Sequence, residues 1–205
     1  MSLDDWHLVF VSVCFILILV AFIPLAKVLI TSKYEPFFAL ALLGEEGMAE
    51  HYYPGDDSSI EVGEVVGWIV YLYNHIGETR YVAIRVKLLN SSMLAPNASS
   101  CSPAIAPVVY EVRRVMMHNQ TWLSPLNWSI LKIERVGDFL DVISFSINGN
   151  TIDTHVVALY GSNYRLVVEL WVYDEVYDDF QFGWSTTGEV QCVWNQVWFN
   201  VTSSV

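Results

Sequence analysis

The stretch Val66–Leu89, VGWIVYLYNHIGETRYVAIRVKLL, decides how this chain folds. Val66, Trp68, Val70 and Leu72 recur at every second residue, and so do Val82, Ile84, Val86 and Leu88. A period of two sends successive side chains to opposite faces of a strand, so each run carries one apolar face. Arg85 and Lys87 fall on the other face of the second run. Asn74-His75-Ile76-Gly77 separates the two as a turn. Such a pair predicts either a hairpin or two strands of a sandwich.

Outward from this pair, the same pattern continues. Upstream, Phe37–Leu43 is an apolar run of strand length ended by Gly44, and Pro54-Gly55-Asp56-Asp57-Ser58-Ser59 is a strong turn signal. Downstream, 108–117, 127–135, 151–160, 164–173 and 190–201 read as strands, while Phe139–Ile147 fits a strand or a short helix equally well. Residues 90–107, rich in Ser, Ala, Pro and Asn, form a long exposed loop, and 174–188 an acidic, aromatic one. Seven to nine strands with no long helix among them predict a mainly β body over 37–205, an immunoglobulin-like β-sandwich.

Ahead of that body stands Leu8–Ile30, LVFVSVCFILILVAFIPLAKVLI, with Lys27 its one charge. About 20 apolar residues suffice to cross the hydrocarbon core. The start is acidic (Asp4, Asp5) and the apolar core is too long for a cleaved signal, so 8–30 reads as a transmembrane α-helix between a tail at 1–7 and a stalk at 31–36. A soluble core helix would show a polar face, and none precedes Lys27.

Lys27 and Lys33 after the span argue for a cytoplasmic body. Five N-x-Ser/Thr sequons argue the reverse: Asn90, Asn97, Asn119, Asn127 and Asn200. Chance predicts about one sequon in this composition, and all five lie beyond the span. Cys101 and Cys192 also suit an oxidising exterior, as a disulfide closing a loop of about 90 residues, worth about 4–5 kcal/mol in the chain-entropy model. The expected topology is a cytoplasmic N-terminus and an extracellular body carrying N-linked glycans.

With 22 acidic and 10 basic residues the net charge is -12, which argues against nucleic acid and against docking on anionic lipid headgroups. Solvation is the plainest role for that charge, and a cationic partner the next.

The motifs fall in a recognisable order. PFFALALLGEEGMAEHYYP is followed by IEVGEVVGWIVYLYNHIGETRYVAIRVKL, then HNQTW, then YRLVVELWVY and a terminal VWFNV. This order resembles the extracytoplasmic β-sandwich of the archaeal membrane-protein family called domain of unknown function 1616. Gly44, Gly47, Ala49, Glu50, Tyr53 and Pro54 match its first element, with one extra residue before Tyr53. Val62, Gly63, Glu64, Asn74 and His75 match the second, with Ile76 where the family tends to have Glu. His118, Asn119, Thr121 and Trp122 match the third. The match covers Phe37 to about Trp122 well and departs in its single span and in the insertions at 90–107 and 135–163. The resemblance implies an archaeal cell envelope and a sandwich domain, and supplies no catalytic residues.

Candidate chemistry is thin. A copper site would draw on His118 with Met116 and Met117, or on His51, His75 and His155, but no ligand spacing appears. Calcium would use Asp174, Glu175, Asp178 and Asp179, or Asp56 and Asp57, without EF-hand spacing. Trp128, Trp171, Trp184, Trp194 and Trp198 suit a sugar-stacking platform, although aromatics in a sandwich more often fill its core. No nucleophile motif occurs, so no catalytic, cofactor or metal residue is assigned and no enzyme is expected. The expected role is a structural or accessory subunit that binds other membrane or cell-envelope proteins. A surface-layer or filament anchor, and an ectoenzyme or solute- or carbohydrate-binding domain, are the alternatives.

Overall fold

The computed structural model describes residues 6–7, 9–18, 20, 35–186 and 188–202. The chain divides into two units, 1–35 and 36–205. In the first, residues 9–18 are helical and exposed apart from half-buried Cys14. The rest of the expected 8–30 span, apart from Val20, lies outside the described residues, as do 1–5 of the tail and 31–34 of the stalk. Among the described residues no helix is long and apolar enough to cross a membrane.

The second unit is built from strands: β1 (Phe37–Gly44), β2 (Ser59–Glu61), β3 (Val66–His75), β4 (Arg80–Asn90), β5 (Val108–Met116), β6 (Thr121–Val136), β7 (Phe139–Ile147), β8 (Asn150–Leu159), β9 (Tyr164–Asp174), β10 (Asp179–Gln181), β11 (Trp184–Ser185), β12 (Val190–Gln191) and β13 (Trp194–Thr202). One sheet runs β1-β3-β6-β7-β8, the other β2-β13-β9-β4-β5 with β10 beside β9, and β11 and β12 form a ribbon. β3 and β4 do not pair. The turn between them carries the chain from one sheet to the other, so of the two predicted arrangements the sandwich is the one formed. β3 beside β6, facing β4, β9 and β13 side by side, is immunoglobulin-like connectivity. β7 and β8 are an added arm between β6 and β9.

The period-two positions fill the core. Val66, Trp68, Val70, Leu72, Val82, Ile84, Val86 and Leu88 are all 1% exposed or less. Burying each such side chain contributes roughly 1.5–3 kcal/mol. Trp128 joins the sheets, with ring centroids 5.2 Å from Trp68, 5.8 Å from Phe145 and 4.8 Å from Phe199. Tyr164 stacks on Phe199, and its buried hydroxyl donates to the Leu140 carbonyl at 2.5 Å. Burial pushes that phenol up to about 12.

One open choice is settled and two expectations change. Phe139–Ile147 is strand β7: Leu140, Val142, Phe145 and Ile147 are buried, and a pairing irregularity between Val142 and Ser144 breaks the alternation that would have marked it. The 174–188 loop contains β10 and β11. The 90–107 loop is not simply exposed, because Ala104 is buried with Leu89 and Val167.

The sequence motifs are consumed in closing turns. A Cβ on Gly44 would lie 2.3 Å from the Glu50 carbonyl oxygen, so only glycine admits the returning chain. That return lets Tyr52 donate to the Leu42 carbonyl at 3.0 Å and Trp68 Nε1 donate to the Tyr52 carbonyl at 2.6 Å. Asn74 is 0% exposed. Its Nδ2 donates to the carbonyls of Glu78 and Met116, both at 3.0 Å, and its Oδ1 accepts from Ile76 N at 2.9 Å. Its backbone bonds Gln120 and Asn119. Asn119 takes φ 60° and Gly77 N donates to His118 Nδ1 at 3.1 Å. The NHIG and HNQTW segments are therefore two halves of one knot. Asn74→Ala should destabilise the body by about 2–4 kcal/mol, because it strands buried backbone groups. The thermal midpoint should fall by about 5–10 °C in circular dichroism.

Candidate functional site

The outer face of the six-stranded sheet carries a layer of charge where a solvated surface was expected. On β4 and β9, Lys87 Nζ lies 2.9 Å from Glu169 Oε2, with side chains 5% and 0% exposed. Strand register sets this pair, since Arg85 stands opposite Glu169 and Lys87 opposite Val167. Lys87 also donates to the Ala104 carbonyl at 2.6 Å, and Ala104 N donates to Glu169 Oε1 at 2.7 Å. Trp171 Nε1 donates to Glu169 Oε2 at 2.9 Å. The 91–107 segment is thus a cover whose backbone satisfies the charges beneath it. A disulfide between Cys101 and Cys192, Cα–Cα 5.6 Å, fastens that cover to the chain just ahead of β13.

Cations and rings alternate along the same face. Arg85 lies 4.1 Å from the Trp171 ring centre and Arg113 4.8 Å from that of Phe180. Both arginines bond Glu111; burial would raise that carboxyl, but the two guanidinium hydrogen bonds outweigh it and hold the group below its ordinary value. Arg165 is buried and donates to Gln196 and to the Met93 carbonyl, with Trp198 4.6 Å away; desolvation lowers its pKa.

The candidate metal residues are scattered. Among the described residues no group of three or more His, Cys, Asp or Glu is placed to hold an ion. Met116 ends β5 fully buried, Met117 is exposed, and His118 sits in the following turn, its ring 5.2 Å from that of His75. His51 bonds Asp56 at 2.7 Å and His155 bonds Asp141 at 3.1 Å. Asp174 caps Val176 N, and Asp178 accepts from the Tyr173 hydroxyl. Trp128 and Trp184 are core residues and Trp171 lies under the cations, so Trp194 and Trp198, alternating on β13, are the ones left on a partly exposed face.

The sequons differ in how their amides are engaged. Asn97, Asn119 and Asn127 are exposed. Asn97 accepts from Ser99 N, and Asn119 Oδ1 accepts from the Tyr73 hydroxyl at 2.9 Å and bonds His75 Nδ1 at 2.8 Å. Asn200 is half-buried and accepts from Asn163 N. Asn90 is half-buried, and its Nδ2, the atom a glycan needs, donates to the Val157 carbonyl at 2.7 Å.

The clefts are modest. One of about 310 Å³ opens between the edges of the two sheets, lined by Leu88, Met93, Val109, Ile152 and Val156. The cleft holding Asp174 and Trp184 measures about 90 Å³, well below the roughly 300–1,000 Å³ of ordinary ligand pockets. Glu169 and its network were legible in part: one acid inside the apolar run YRLVVELWVY signals a buried partner.

No family model matches this chain, and no curated protein matches it. Among solved structures, the CARDB domain of a Pyrococcus furiosus protein, determined in complex with di-metal ions, is similar over 84% of this chain and 97% of its own, at 10% identity and a TM-score of 0.37. The C-terminal domain of wzt is similar over 83% of this chain and 80% of its own, at 7% identity and a TM-score of 0.36. A beta-glucosidase from Listeria innocua is similar over 82% of this chain, at 10% identity and a TM-score of 0.39, but this covers 16% of the glucosidase. None of the three bears on the chemistry of this chain.

Three outcomes are expected. Lys87→Met or Glu169→Gln alone should each cost about 3–5 kcal/mol in guanidinium titrations, whereas the paired apolar replacement Lys87→Met with Glu169→Leu should recover most of that loss. Glycopeptide mass spectrometry should find Asn97, Asn119 and Asn127 occupied and Asn90 bare, since the Asn90 amide is already spent. The third concerns pH. The Asp56 hydrogen bond and charge hold His51 above its ordinary value of 6.5. A raised folded value means the pairing favours the fold fully below 6.5 and fades as pH rises through that raised value. An NMR titration should show His51 returning toward 6.5 in Asp56→Asn.

Proposed function

We propose that this protein is a single-pass membrane-anchored, glycosylated accessory subunit of a cell-envelope or membrane complex. Its N-terminus lies in the cytoplasm and its sandwich outside. One observation carries the anchor: the helix at 9–18 exposes Val9, Phe10, Val11, Val13, Phe15, Ile16, Leu17 and Ile18, each at 47% or more. A helix apolar all round needs lipid or other protein around it. The span is read as continuing through 19–30, whose sequence stays apolar to Lys27. The sequons on the body and the Cys101–Cys192 bond support an oxidising, glycosylating exterior.

The role as a binding subunit is supported by what the conspicuous residues do. Gly44, Asn74, His118 and Asn119 close the fold, and Lys87 and Glu169 hold a cover in place. The resemblance to the domain of unknown function 1616 sandwich belongs with this reading, because Gly44, Asn74, His118 and Asn119 are among the residues that carry it.

Purification of the full chain from native membranes in mild detergent tests the proposal. Recovery with other integral membrane subunits, and hexose increments on the body, is the expected result. A chain recovered alone and without glycan would overturn both the role and the orientation.

A further inference from the structure

We infer that the outer face of the β6–β8 arm is a docking surface for a partner protein that presents a lysine or arginine among apolar side chains. The inference rests on the accessory-subunit reading and gives it a location. β3 pairs β6 only from Thr121 to Trp128, so the β6 segment beyond it, with β7 and β8, stands clear of β3. Cross-strand partners share a face. Val136, Phe139 and Leu159 form one row across the arm, and Glu134, Asp141 and Val157 form the next. The inward residues Leu140, Val142, Val156 and Ala158 are buried, so these two rows point out.

Four of the six are apolar, and all four are open: Val136 is 65% exposed, Phe139 49%, Leu159 49% and Val157 41%. Isolated exposed apolar residues need no account, but a contiguous group around a charge does. A shallow cleft of about 270 Å³ lies among Val136, Phe139, Asp141 and Val157. Asp141 at its floor is 18% exposed. Its Oδ2 meets His155 Nδ1 at 3.1 Å, and its Oδ1 is buried with no hydrogen-bond partner.

An unpaired buried carboxylate oxygen is costly. Glu134 stands directly across from it in the ladder, and like charges so placed destabilise a sheet. Both costs are offset by one arriving cation. A ring of apolar contacts around a single desolvated ion pair is the usual make-up of an interface hot spot. The charge argues against a second copy of this chain, since each copy would bring the same acids in a net charge of -12. Asn90, whose amide is engaged on the Val157 carbonyl, is expected bare and so brings no glycan to this face.

The test places a photo-reactive benzoylphenylalanine at Leu159 in the full chain, in native membranes, and sequences the cross-linked peptide by mass spectrometry. The expected product is a different protein, joined within a few residues of a lysine or arginine flanked by apolar side chains. Asp141→Lys should cut the yield about tenfold or more, and an acid in place of the partner's cation should restore it. Asp141→Asn, which keeps shape and removes charge, should give a smaller loss and guards against a folding failure. Cross-linking to a second copy or to lipid, or an unchanged yield in both variants, would overturn the inference. So would a partner that co-purifies but cross-links only from other faces; that result would leave the accessory role standing.

Discussion

One buried amide sits where the chain leaves the first sheet for the second. Asn74 closes the β3–β4 crossing through Ile76 and Glu78 and reaches across to Met116, the last residue of β5. Its own backbone bonds the next crossing, at Asn119 and Gln120. In a sandwich the sheets are separate hydrogen-bonding systems, and little but side-chain packing holds them in register. A polar pin with every group satisfied fixes the two crossings against each other, and the aromatic stack of Trp68, Trp128 and Phe199 then has one way to close.

The outer face of the six-stranded sheet works on a different principle. Lys87 and Glu169 are almost wholly removed from water, which costs several kcal/mol per ion before their attraction is counted. The cover supplies part of what water would have supplied, a carbonyl for the ammonium and an amide for the carboxylate, while the Trp171 indole of β9 itself serves the second carboxylate oxygen. Such a layer contributes less to stability than apolar packing would. It instead dictates where the 91–107 segment lies, and a segment without ladder bonds to either sheet needs that instruction. The covalent bond at Cys101 holds the same segment three residues ahead of Ala104.

The sandwich was legible because β3 alternates without interruption and the apolar positions Val82, Ile84, Val86 and Leu88 of β4 keep the same period. Where alternation fails, legibility fails for a physical cause. β7 carries an irregularity at 142–144, so its buried set slips by one residue and mimics a helical spacing. The 90–107 segment has no period, because its packing is governed by backbone groups meeting Lys87, Glu169 and Arg165, and nothing in its own composition records that. Glu169 was visible as a lone acid in an apolar strand, but its partner lies 82 positions upstream and only strand register brings them together. Asp141 gave no signal at all: its significance comes from neighbours on β6 and β8. The glycine and asparagine motifs stood out as candidates for function, and the bonds assign them to folding.

The body's two ends lie at opposite poles of the sandwich. Phe37 pairs with His75, at the pole where β4 begins, while Phe199 pairs with Tyr164 and Tyr164 with Asn90, where β4 ends. The chain runs on from there to Thr202, alongside β2 in parallel: Asn200 on Ser59, Val201 on Ile60, Thr202 on Glu61. A pull applied between the poles runs along the strands, not across them. Bonds between parallel strands are evenly spaced, so they share such a load together and do not open one by one. Under a load of that direction the three-residue ladder of β2 on β13 is the mechanical clasp of the sandwich.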